Sequence, residues 1–165
     1  MQLTGFINEK NIAMYQKKSK IIGKIQSYHQ QVAELYKHIN EKVTDPKKKK
    51  LLNDLFEHEK EREAYLSKHK KIAEVMNSWL IFPCERLSNQ IKACFEGLNT
   101  SSDISMEELL KLEMHFDDCL IKMYNILSSE NALNETLVNT FYYMLKKTNK
   151  EKDLMSDMLQ QTGAN

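Results

Sequence analysis

Glycine and proline are scarce in this chain, with four of the first and two of the second among 165 residues. Glycine weakens a helix through its entropy and proline through its missing N–H, so their scarcity disfavours a turn-rich β architecture and leaves room for long helices. An excess of charge of one sign is also lacking. Lys and Arg number 24 against 23 Asp and Glu, for a formal charge of +1, and no overall field steers the chain to nucleic acid or to an anionic membrane. No run approaches the roughly 20 apolar residues that cross a bilayer. The opening MQLTGFINEK has no basic stretch followed by an apolar run, as a secretion signal would. The three cysteines, Cys84, Cys94 and Cys119, are odd in number and lack Cys-x-x-Cys spacing. That pattern fits free thiols in a reducing compartment better than disulfides or a zinc knot. A glycine-rich phosphate loop, a nucleophile elbow and a Cys-His pairing are missing as well. These absences lead to the expectation of one cytoplasmic domain, over residues 1–165, that binds neither nucleic acid nor membrane.

What the chain does have is helical periodicity. Ile21, Ile25, Tyr28, Val32, Leu35 and Ile39 recur at alternating steps of four and three, which is a packing seam. It predicts a helix from about Asn8 to Val43. Asp45-Pro46 then restarts the chain, Asp as a cap and Pro at a first helical position, and a second helix is expected from Pro46 to about Trp79. A connection that short makes the two helices antiparallel neighbours. Lys47 to Lys50 put four positive charges at the second helix's N-terminus, against its dipole. Pro83 breaks the pattern at LIFPCERL. A shorter helix from Cys84 to Glu96 and the polar LNTSSDIS follow, and Ser105 with Glu108 forms a capping box. A third long helix is expected over about Met106 to Leu127, with the stripe Leu109, Leu112, Phe116, Leu120, Met123 and Leu127. The fourth is expected over about Asn134 to Gln161, with Leu137, Phe141, Met144, Thr148, Glu151, Met155 and Met158 inward.

Two hairpins, about 8–79 and 106–161, are thus joined by a connection over about 80–105. That connection is long enough to cross a helical bundle and holds a short helix of its own. The expected fold class is all-α, a ferritin-like four-helix bundle of two antiparallel hairpins joined by this crossover.

Polar residues interrupt the apolar stripes at particular places. The second-helix seam reads Leu52, Leu55, Glu59, Arg62, Leu66, His69, Ala73 and Met76. An unpaired buried ion costs several kcal/mol, so Glu59 and Arg62 need a partner, a metal or water. Spaced three apart, they can pair with each other. His29 stands seven residues before Tyr36, as Asp117 does before Tyr124, and Glu151 breaks the last stripe as Glu59 breaks the second. His58 beside Glu59 has Arg62 where the second histidine of a zinc protease motif would stand, so that motif is incomplete.

ELYKHINEKVTDPKKKKLLNDLFEHEKEREAYL, from Glu34 to Leu66, resembles the rubrerythrin-like branch of the ferritin-like superfamily, and DDCLIKMYNIL and MLKKTNKEKDLM extend the resemblance to the second hairpin. The resemblance implies a two-metal site in which each hairpin contributes a Glu and a Glu-x-x-His. Carried onto this chain, it places Glu59 on the first Glu-x-x-His with Arg62 at its histidine, and Glu151 on the second with Leu154 at its histidine. His29 and Asp117, or Asp118 if the register slips, take the single carboxylate positions. A guanidinium cannot ligate a cation. The expectation is a degenerate metal site, with His29, Glu59, Arg62, Asp117 and Glu151 as a polar core and no cofactor. The function expected is a non-catalytic binding or assembly component that has a protein partner or self-associates along a helix face. The alternative is a divergent iron or manganese protein for oxygen, peroxide or iron handling, holding its metal with His29, Glu59, Asp117 and Glu151.

Overall fold

The computed structural model describes residues 15–76, 79–81, 84–129 and 135–163, and its fold is all-α. Helix α1 spans Lys18–Lys42. Its buried face carries Ile21, Ile25, Tyr28, Val32 and Ile39 from the seam, with Tyr36 fully covered and Leu35 only partly. Helix α2 spans Pro46–Met76. Between them lie only three residues, where Asp45 Oδ1 accepts from the Lys47 amide at 3.1 Å. Lys49 reaches back from the lysine run and donates through Nζ to the Asn40 carbonyl at 2.7 Å. One charge of the run thereby serves the C-terminal carbonyls of α1, where a cation is favourable.

His29 meets Glu59 and Gln30 meets Glu63, whereas Asn40, three turns farther along α1, meets Asn53, earlier on α2, so the two helices are antiparallel. The expected extents need correcting at two ends. Residues 15–17 are a strand, β1 (Tyr15–Lys17), rather than the beginning of α1, and α2 ends at Met76 rather than Trp79. A second strand, β2 (Trp79–Ile81), pairs antiparallel with β1. Residues 8–14 of the first expected helix lie outside the described residues.

Helix α3 spans Cys84–Cys94 and closes in a turn whose Gly97 has φ 69°, a left-handed backbone that glycine adopts without strain. Helix α4 follows over Met106–Ser129. Its capping box is complete. The Glu108 amide donates to Ser105 Oγ, and the Ser105 amide donates to the Glu108 carboxylate, each at 3.0 Å. Cys94 and Cys119 are joined as a disulfide across a Cα separation of 6.1 Å, tying α3 to α4. This corrects the expectation of three free thiols. Spacing along the chain does not reveal that the last residue of α3 stops beside α4, and only Cys84 is free.

Helix α5 spans Glu135–Gly163. Asp118 pairs with Lys152, and Tyr124 donates to Met144 Sδ at 3.7 Å, so α4 and α5 are antiparallel. Helices α1 and α4 are also antiparallel, with Tyr28 donating to the Phe116 carbonyl at 2.8 Å and Tyr36 to Glu113. So are α2 and α5, where His58 meets Glu151 and the Tyr65 ring meets that of Tyr143. One apolar cluster runs through these helices, from Ile21 and Leu52 to Phe116, Leu120 and Met144. No helix among the described residues is long and apolar enough to cross a membrane.

Candidate functional site: an arginine-centred polar core

Leu52, Leu55, Leu66 and Ala73 hold α2 against the core, and the same face carries Glu59 and Arg62 between them. The apolar seam ends at Ala73, because Met76 is 67% exposed. A helix anchored by leucines on both sides has no rotation that releases Glu59 or Arg62 to solvent without exposing those leucines. The charges are therefore held inside. Glu59 is fully buried and Arg62 is 6% exposed.

Arg62 reaches three helices. Its Nη1 donates to Glu59 Oε1 at 3.0 Å and to Asp117 Oδ1 at 3.1 Å, and its Nη2 donates to Glu151 Oε2. His29 Nδ1 stands 2.6 Å from the other Glu59 oxygen. Burial lowers the His29 pKa more than Glu59 raises it, so the ring is neutral and its Nδ1–H donates to the carboxylate. His29, Glu59, Arg62, Asp117 and Glu151 thus form one hydrogen-bonded chain across α1, α2, α4 and α5. His58 joins from outside, its Nε2 lying 2.9 Å from Glu151 Oε2. Asp118 belongs instead to the pair with Lys152, and Leu154 is 56% exposed, away from the core.

Electrostatics divide the carboxylates. Burial alone would raise Glu59, but Arg62 and His29 hold it below the ordinary carboxylate range. Glu151, nearer the surface, is likewise opposed by burial yet held at about 2 by His58 and Arg62. Asp117 goes the other way, pushed up to about 6 by burial against the pull of Arg62. Arg62 stays protonated, since the surrounding carboxylates outweigh the cost of its burial. At neutral pH one guanidinium is therefore set against three carboxylates, with proton uptake by Asp117 only slightly to the acid side.

Two participants were not foreseen. Glu113, one turn before Asp117 on α4, is 1% exposed and accepts a hydrogen bond from the buried Tyr36 hydroxyl. Burial, with Asp117 and Glu59 adding to it, raises its pKa well above the ordinary carboxylate range. The stripe Leu109, Glu113, Phe116, Leu120 has the same four-three-four steps as the α1 seam, and that spacing marks Glu113 as inward. His58 was visible in the sequence only as a neighbour of Glu59; its partner, Glu151, comes from a helix remote along the chain.

Among the described residues, two buried side-chain atoms have no hydrogen-bond partner, His29 Nε2 and Asp117 Oδ2. A half-open cleft of about 190 Å³ between α2 and α5, lined by His58, Arg62, Tyr65, Tyr143, Lys147 and Glu151, brings solvent to the outer edge of the guanidinium. Among the described residues, no three His, Cys, Asp or Glu side chains are grouped as a metal site. The residues present do not fit a two-metal centre, because the guanidinium binds the carboxylates that would bridge the ions, and its charge repels a cation. No family model, curated protein or solved structure matches the chain.

Proposed function

We propose that the protein is a ferritin-like four-helix bundle of the rubrerythrin-like branch, non-catalytic, acting as a binding or assembly component, in which an ancestral metal site has become a polar core. The helix directions support the fold. Since α1 opposes both α2 and α4, the latter two run the same way. A chain that leaves α2 and enters α4 must then travel back along the bundle, as a crossover does. The observation that carries the functional reading is Arg62, a permanent cation hydrogen-bonded to Glu59, Asp117 and Glu151 together.

The second reading, an iron or manganese protein for oxygen, peroxide or iron handling, is favoured by the two unpartnered atoms, since His29 Nε2 and Asp117 Oδ2 each offer a lone pair of the kind a metal or a water takes. Metal analysis of protein expressed with iron and manganese supplied separates the two. The expected result is substoichiometric metal that a chelator removes without changing the melting temperature. Stoichiometric, tightly held metal that is lost on Glu59→Gln would establish the second reading instead.

A further inference from the structure

Helix α5 carries a second seam, on its outer side. Met144, Thr148, Glu151 and Met155 turn toward the core, while Tyr143, Lys147, Lys150, Leu154 and Asp157 follow the same four-three alternation one residue out of step. All five of the latter are exposed, Tyr143 by 55% and Leu154 by 56%, and Met158, expected to face inward, lies beside them and is 43% exposed, so the inward stripe of α5 stops at Met155. Alternating four-three spacing on an exposed face is the pattern by which one helix packs along another. Charge is sorted along this face. Lys146, Lys147 and Lys150 occupy its first half and Asp153 and Asp157 its second. None of these five charges has an ion-pair partner among the described residues.

We infer that the chain self-associates by laying the α5 face of one copy antiparallel on the α5 face of another, the lysine half of each against the aspartate half of its partner. A parallel copy would set lysine on lysine. The antiparallel one is self-complementary, as a two-fold contact between identical surfaces requires. Leu154 lies within the aspartate half, between Asp153 and Asp157, where the antiparallel pairing sets it against the apolar stems of the partner's lysines, and the cleft edge at Tyr143 and Lys147 is covered by the partner. From Tyr143 to Asp157 the face is about 21 Å long at 1.5 Å per residue. So short a contact gives a weak, salt-sensitive dimer. This inference rests on the assembly reading above and names its partner as a second copy of the chain.

Sedimentation velocity on the full chain, over a range of protein concentrations and at about 50 and about 500 mM NaCl, tests it. A concentration-dependent dimer is expected in the low-salt buffer, with dissociation at least about tenfold stronger in high salt. Lys147→Glu with Lys150→Glu should be monomeric, as should Asp153→Lys with Asp157→Lys, and an equimolar mixture of the two variants should dimerise again. Both variants alter only exposed side chains, and the salt dependence of the wild type is a check independent of them. A wild type that stays monomeric, variants that dimerise like it, or a mixture that stays monomeric would overturn the inference. A monomeric wild type leaves the metal content of the core unchanged, so the two tests fail separately.

Discussion

Asp117 and Glu59 share one guanidinium nitrogen yet respond to it differently. Glu59 gains a second partner in His29, whereas Asp117 leaves one oxygen unpartnered, and burial lifts it to about 6. Its folded pKa therefore lies above the unfolded value of about 3.9, and the folded state binds the extra proton between those two pH values. Stability contributed by that proton is fully present below about pH 4 and is lost as pH rises through 6. Asp117→Asn removes this dependence. Relative to wild type, it should gain stability between pH 5 and pH 8, as read from urea unfolding at the two pH values; a relative loss would mean that the pairing with Arg62 outweighs burial. Sequence and structure meet unevenly here. Glu59 and Arg62 are legible because a charge in a leucine row stands out. Glu113 is harder to see, since Leu112 beside it also fits an apolar stripe and the two differ by one step around the helix.

Helix boundaries were legible where a local signal sets them. Pro46 opens α2, Ser105 with Glu108 opens α4, and Gly97 follows α3. Each is a short-range interaction between residues close in sequence, which spacing alone can show. Ser105→Ala removes one half of the capping box and should cost about 1 kcal/mol in urea or thermal unfolding, without altering the helical content of the rest. An unchanged midpoint would mean that the first turn of α4 is held by packing alone. The β1–β2 pairing and the Cys94–Cys119 disulfide carry no such signal. Three-residue strands have no measurable periodicity, and both features depend on segments brought together by the finished fold.

Short connections make the two hairpins readable from sequence, but which hairpin faces meet is a long-range property. It is decided here by His29, Arg62, Asp117 and Glu151 as much as by leucine, because each polar group needs the others to be buried at tolerable cost. The polar core therefore helps to specify the packing of α1, α2, α4 and α5 on one another. Its central member is a cation that cannot be lost to pH or to a chelator. Thermal melting of Arg62→Met tests this most directly. Leaving the carboxylates unpaired should cost about 3–5 kcal/mol, a drop in melting temperature on the order of 10 °C, and adding Asp117→Asn should restore part of it. A methionine variant that melts with the wild type would mean that the guanidinium does not hold the acids of this core together.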